Sequence, residues 1–349
     1  MGCCDDIKLQ EVQTKSTDRR TVLKGMFGAI VGFSLGQQSF SLAQDNTQKI
    51  RLAFCSQLLC VVPYEFTKAQ GFFEEEGLDV ELIYSRGGSA AMQALVGSAV
   101  DYAATSFDVA LSAFASGAEI RRFATTGRLP LFALAAAPKN AESITQIADL
   151  SSTTVGVSGL GNADHALMLY LLAQAGVDAN TVRFATLGPN LYDALRVGQI
   201  DAGMVQEPAL TLLREDGGAV LVNAMDIEDA ERYLGGAYEF MGVSVREEEI
   251  EARLDEMQRL GRALQRGLQA VKTATPGALI DALPPEIIAG DNRAQLETII
   301  DQYRTSLYPD AVTIDIEACR RVQEANLTAG ILEESVDLET LLNRDVMGS

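Results

Sequence analysis

Ser56 and Gln57 follow a short apolar run, Ile50–Cys55, and offer a hydroxyl and an amide to an oxyanion or a carbonyl. Arg86-Gly87-Gly88-Ser89 follows the next apolar run and opens a helical pattern. Glycine lets the backbone approach a ligand closely, and a helix N-terminus presents unpaired N–H groups to an anion. Gly88 and Ser89 are therefore candidate contacts, while Arg86 reads as solvent-facing. Thr105 and Ser106 end a third run; they offer hydroxyls to a ligand, or they cap the helix that follows. Ser158-Gly159-Leu160-Gly161-Asn162 precedes a helix whose first turn holds Asp164 and His165. This is a second anion-ready N-terminus, although Asp164 already complements its dipole. Asn162 and His165 are candidates here, the alternative for a lone first-turn histidine being a structural or exposed position. Gly188-Pro189-Asn190 is a loop at a later strand end, with Gly188 its candidate. Glu207, beside Pro208, is a strand-end carboxylate that can bind an amine or ring N–H, or else compensate a helix N-terminus.

Other chemistries are missing. His165 is the one histidine in 349 residues, which argues against imidazole-rich zinc or copper sites and leaves one partner for a nucleophile. Lys and Arg number 28 against 48 Asp and Glu, so the net charge is −20, a poor balance for holding a phosphate backbone. Trp is absent and aromatic residues are 6%, so there are few stacking platforms for single strands. No acid–base pair, metal cluster or P-loop pattern emerges; no catalytic residue, metal or cofactor is expected, and any ATP is used by partner subunits. Past residue 43 the cysteines are Cys55, Cys60 and Cys319. Cys55 and Cys60 pair only if a loop brings their Cα atoms within about 7 Å, and are otherwise buried thiols.

Short apolar runs alternate with helical periods, and these elements must position the candidates. Strands are expected at Ile50–Cys55, Leu78–Tyr84, Val100–Thr105, Thr153–Ser158, Val182–Leu187 and Ile200–Gln206. Helical spacing marks Val62, Phe66, Ala69 and Phe73, then Ser89–Val96, Asn162–Ala175 and Asn190–Val197. Strands separated by helices predict parallel α/β sheets. Ala94-Leu95-Val96-Gly97 leading to Asp101-Tyr102-Ala103 is echoed by Ala194-Leu195-Arg196-Val197-Gly198 leading to Asp201-Ala202-Gly203. In each copy a helix is expected to end at its glycine in a left-handed cap. The echo is either the helix–glycine–strand unit that any α/β chain repeats or one α/β unit used in two lobes, which would set two groups of strand-end loops around one cleft that closes by a hinge. From Arg246 the chain reads as mostly helical, with Ile250, Leu254, Met257, Leu260, Leu264, Leu268 and Val271 on one stripe.

Residues 1–43 read as an export label. A charged stretch with Arg19-Arg20 and Leu23-Lys24 precedes a short apolar run, Met26–Leu35, and Ser41-Leu42-Ala43 supplies small residues for cleavage before Gln44. The paired arginines resemble a twin-arginine signal, which predicts a periplasmic or other extracytoplasmic location.

Lys68-Ala69-Gln70-Gly71-Phe72-Phe73, Glu76-Gly77-Leu78-Asp79-Val80, Gly87-Gly88-Ser89, Asp101, Asp201-Ala202 and Glu207-Pro208 carry a resemblance. Over roughly residues 50–245 the chain resembles the nitrate/sulfonate/taurine-type substrate-binding proteins of ABC importers, which are similar to the thiamine-pyrimidine-synthesis proteins of fungi. The resemblance implies an α/β, type II periplasmic-binding-protein fold: two α/β lobes around a ligand cleft with a helical C-terminal segment. One lobe would be 44–130 with 246–349 and the other 131–245, crossing near 131–137 and 238–245. It also implies a monomer that captures a small polar solute, a sulfonate, nitrate, taurine or nitrogen heterocycle, and delivers it to a membrane permease. The cysteine-rich motif and active-site histidine of the fungal synthases have no counterpart here. A pyrimidine-synthase-like enzyme and a ligand-sensing module for a membrane kinase are the alternative readings.

Overall fold

The computed structural model describes residues 48–288, 290 and 292–347, so residues 1–43, expected to be an export label, lie outside the described residues. Among the described residues, ten strands form two five-stranded sheets. The first holds β1 (Gln48–Cys55), β2 (Leu78–Ser85), β3 (Tyr102–Ser106) and β4 (Ile120–Thr125). The second holds β5 (Ala133–Ala136), β6 (Thr154–Val157), β7 (Arg183–Thr186), β8 (Ala202–Val205) and β9 (Ala219–Asn223). The chain then returns to the first sheet with β10 (Met241–Arg246). The orders are β2-β1-β3-β10-β4 and β7-β6-β8-β5-β9, the same arrangement twice.

Each sheet is mixed, not parallel. β1 runs parallel to β2 and β3, and β6 parallel to β7 and β8, but β10 and β5 lie antiparallel between their neighbours. These two strands arrive from the other half of the molecule and so enter in the opposite direction. Ala133–Ala136 and Met241–Val245, expected as crossing segments, are thus strands, one in each sheet. The crossings themselves run between Thr125 and Ala133 and between Asn223 and Met241.

The echo is physical. Asp101 accepts the Arg51 N–H at 2.7 Å and Asp201 accepts the Thr154 N–H at 2.9 Å. The two carboxylates pin β1 beside β3 and β6 beside β8. In the first copy the left-handed residue falls one place later than expected: Ser98 has φ 57° and Gly97 has φ −80°, while in the second copy Gly198 is left-handed as expected at 70°.

Helices cover the sheets. In the first half these are α1 (Leu58–Ala69), α2 (Phe72–Glu75), α3 (Gly88–Val96) and α4 (Phe107–Ala115). The second half has α5 (Ala163–Gln174), α6 (Leu191–Arg196), α7 (Ala209–Glu215) and α8 (Ile227–Leu234). The tail is helical, with α9 (Ile250–Thr273), α10 (Pro276–Asp281), α11 (Pro285–Ile288), α12 (Arg293–Leu307), α13 (Ile316–Thr328) and α14 (Leu338–Leu341). α9 packs on α1 and α2, and its Met257, Leu260, Leu264, Leu268 and Val271 are all buried. Leu254, expected on the same stripe, is exposed. Gly267 makes the close approach possible, since a Cβ there would overlap the Thr67 hydroxyl. No described helix is long and apolar enough to cross a membrane.

Candidate functional site

The C-terminal ends of β1, β2 and β3 each give way within two or three residues to the N-terminus of a helix, α1, α3 and α4. Parallel strands put these ends on one side of the sheet, and ligands of open α/β sheets bind there. The second sheet offers the ends of β6, β7 and β8 in the same way. Between the two lies a two-part cavity. The inner chamber, about 60 Å³, is lined from the first half by Gln57, Gly87, Gly88, Thr105 and Ser106, and from the second by Ser158, Asn162, Asp164 and Gln206. Its volume corresponds to roughly four to six water-sized spheres. An outer chamber of about 730 Å³ adds Ser56, Gly188, Tyr192, Leu212 and Glu207 and shares Gln57, Arg86 and Gln206 with the inner one. Phe132 and Phe240, one from each crossing, meet edge-to-face at 5.8 Å on the inner wall.

A chain of hydrogen bonds crosses from one half to the other. Ser89 Oγ donates to Asn162 Oδ1 at 2.7 Å, Asn162 Nδ2 donates to Ser158 Oγ at 3.1 Å, and Ser158 Oγ donates to Asp164 Oδ1 at 2.8 Å. The Ser158 N–H also donates to Asp164. Burial raises the Asp164 pKa, and these hydrogen bonds oppose the rise. Asp164 is the one acid on the inner wall among the described residues, and its oxygens are already engaged.

The cations are arranged differently. Arg86, read from the sequence as solvent-facing, is exposed and lines both chambers, and it has no hydrogen bond or ion pair among the described residues. Beneath the floor, Arg122 is fully buried; it donates to the Thr105 carbonyl at 3.0 Å and the Phe240 carbonyl at 2.7 Å, and pairs with Glu239 at 3.1 Å. Burial pushes the Glu239 carboxyl up, and Arg122 and the Thr125 hydroxyl pull against it.

The candidates divide accordingly. Gln57, Gly88, Thr105, Ser106 and Asn162 line the inner chamber; Ser56, Gly188 and Glu207 line the outer one. Ser106 also caps α4 by accepting the Val109 N–H at 3.4 Å. Glu207 is 2% exposed, and its Oε2 accepts the Thr211 N–H at 3.0 Å. Burial raises its pKa against that bond and against Arg214 and Tyr303. Ser89 stands outside the lining because its hydroxyl is spent on Asn162. His165 is also outside: Nδ1 accepts the Gly161 N–H at 3.3 Å, the ring meets Phe184 edge-to-face at 4.8 Å, and burial lowers its pKa. Residue types alone do not point to Phe132, Gln206 or Phe240 and set Arg86 toward solvent, but Arg86 and Gln206 stand at the strand ends that the spacing locates.

Cys55 and Cys60 are joined by a disulfide, with Cα atoms 6.4 Å apart, and both line the inner chamber. Among the described residues no cluster of His, Cys, Asp and Glu suits a metal ion.

Residues 61–276 match the family described as NMT1/THI5 like. The chain belongs to the NMT1/THI5-like family. No curated protein sequence matches it. Among solved structures, a protein from Bordetella bronchiseptica RB50 superposes with a TM-score of 0.77 at 25% identity, over 86% of this chain and 96% of that one. The alkanesulfonate-binding protein SsuA from Xanthomonas axonopodis pv. citri, bound to MOPS, gives 0.67 at 18% identity over 85% and 98%. The periplasmic nitrate-binding protein NrtA from Synechocystis PCC 6803 gives 0.69 at 14% identity over 86% and 87%. This NMT1/THI5-like chain thus has the periplasmic-binding-protein fold, which the repeated sheet order already describes.

Proposed function

We propose that the protein is the extracytoplasmic solute-binding component of an ABC importer and that its solute carries a small anionic group, in the manner of a sulfonate, nitrate or taurine. One observation carries the reading: the N-termini of α1, α3 and α4 and Arg86, which has no partner among the described residues, line one small chamber whose one wall acid among those residues is already satisfied. Unpaired N–H groups and a guanidinium favour negative charge there. The outer chamber takes the rest of the solute, with Glu207 available to an amine. The export label and the family agree with capture outside the cytoplasm and hand-over to a membrane permease, by a monomer with no cofactor. Fold alone does not separate binding from catalysis. The placement of His165 outside the cavity favours binding, because it removes the one imidazole a synthase-like reaction would draw on. Native mass spectrometry of protein purified from its source tests this. A retained small anion at one copy per chain is expected. A retained cationic heterocycle, or a chemically altered product, would overturn the reading.

A further inference from the structure

Cys55 ends β1, and Cys60 occupies the third position of α1. Their disulfide spans only five positions of sequence, the short end of the range, where a cross-link removes least entropy from the unfolded chain. Each partner is also held without it. Cys55 lies opposite Ser85 in the β1–β2 ladder, and the Cys60 N–H bonds to the Gln57 carbonyl at 3.0 Å. The bridge therefore fixes what lies between: Ser56 and Gln57 on the cavity walls, and the first turn of α1, whose leading N–H groups have no helical acceptor.

The two cysteines both line the inner chamber and differ in exposure. Cys55 is 9% exposed and Cys60 3%. A small thiol entering the cleft attacks, as its thiolate, Cys55 Sγ. The S–S bond breaks, its electron pair leaves on Cys60 Sγ, and a mixed disulfide forms at Cys55. The N-terminus of α1 stabilises the departing Cys60 thiolate. A second thiolate attacks the outer sulfur of the mixed disulfide, releasing Cys55 as a thiolate and a symmetrical disulfide of the thiol. Two thiols are oxidised, the protein disulfide is reduced, and the protons of the two thiols balance the two new cysteine sulfurs.

We propose that the Cys55–Cys60 disulfide is a thiol-reactive switch inside the solute cavity: the oxidised chain binds its anion, and the chain reduced by a small thiol does not. Reduction frees the first turn of α1 and leaves two separate thiol groups, one of them at the same helix N-terminus the anion uses. Linkage requires the reverse effect, so a bound anion protects the bridge from reduction. This rests on the cleft being the solute site. Cys319 is a built-in control: it is a free thiol, fully buried on α13, and burial raises its pKa out of the reactive range.

The test uses the full chain treated with dithiothreitol, quenched with iodoacetamide and mapped by peptide mass, beside amide hydrogen exchange. Cys55 and Cys60 should label while Cys319 does not. Exchange at residues 58–61 should quicken at least tenfold, with the rest of α1 unchanged. Saturating ethanesulfonate or nitrate should slow the labelling, and affinity for the same anion should fall at least tenfold after reduction. The double variant Cys55→Ser with Cys60→Ser should show the faster exchange without any reagent. Labelling of Cys319 in step with the pair would make the bridge a fold staple and overturn the switch, as would equal exchange or equal anion affinity in both states. If neither anion binds the oxidised chain, the solute reading fails, and the exchange comparison still decides the switch.

Discussion

Asp108 shows what a buried carboxyl does at the scale of one residue. It sits on α4 at 3% exposure, accepting from Tyr238 Oη and Asn326 Nδ2, each at 2.9 Å. Burial raises its pKa above the ordinary 3.8, and the two hydrogen bonds offset only part of the rise. The unfolded chain therefore releases this proton at lower pH than the folded chain does. In the window above pH 3.8 the folded state holds more protons, so stability is lost as pH rises through it. Asp108→Asn removes the titration. The variant's stability relative to wild type should increase from pH 4 toward pH 7, by up to about 1.4 kcal/mol per pH unit within the window. His165 and the remaining carboxyls are shared by both chains and cancel in the difference. Denaturant midpoints across this range check it; a difference independent of pH would contradict it.

At the scale of elements, β10 is the strand that joins the site to the hinge. Arg122 on β4 lies against Gly242 on β10, and a Cβ at Gly242 would overlap both the guanidinium and the Ala124 carbonyl. The same guanidinium holds the carbonyls of Thr105 and Phe240 on the chamber wall. Gly242→Ala should therefore destabilise the fold by about 1–3 kcal/mol, the usual cost of overpacking. Urea unfolding reads this, and an unchanged midpoint would show that the strand yields. Little of this strand's role was legible in the sequence. Met241–Arg246 is buried throughout, and such a run carries no alternation to say which sheet it joins or in which direction. The parallel units were legible because each is local: a strand, a helix ending near Gly97 or Gly198, and the next strand opening after Asp101 or Asp201. The strand-end rule likewise found Gln57, Gly88, Thr105, Ser106 and Asn162 on the chamber wall. It failed for His165, whose ring is turned to Phe184, because one turn of helix faces several ways and only packing selects among them. It also undervalued Arg86, since a long side chain at a cleft mouth is exposed and wall-lining at once.

For the whole molecule, the bond from Ser89 to Asn162 joins the two halves across the cleft. With the Phe132–Phe240 pair on the crossings, this is a closed arrangement around the inner chamber. A solute can drive closing only through tighter binding to the closed form. Small-angle scattering of the free protein and of protein saturated with its anion should show compaction on binding. Asn162→Ala should leave the anion-saturated protein less compact than wild type, because the bond across the closed cleft is lost. Identical profiles for wild type and variant would remove Asn162 from the closure. The central claim, that an anion is held by converging helix N-termini and Arg86, is tested most directly by titration calorimetry. Nitrate, ethanesulfonate and taurine are titrated beside a neutral pyrimidine into wild type and Arg86→Ala. At least one anion should bind one-to-one, and Arg86→Ala should weaken it about ten- to a hundredfold, the loss of a charged hydrogen bond worth about 1.5–3 kcal/mol, with the melting temperature unchanged. Binding of the neutral pyrimidine alone, or an anion affinity indifferent to Arg86, would contradict the account.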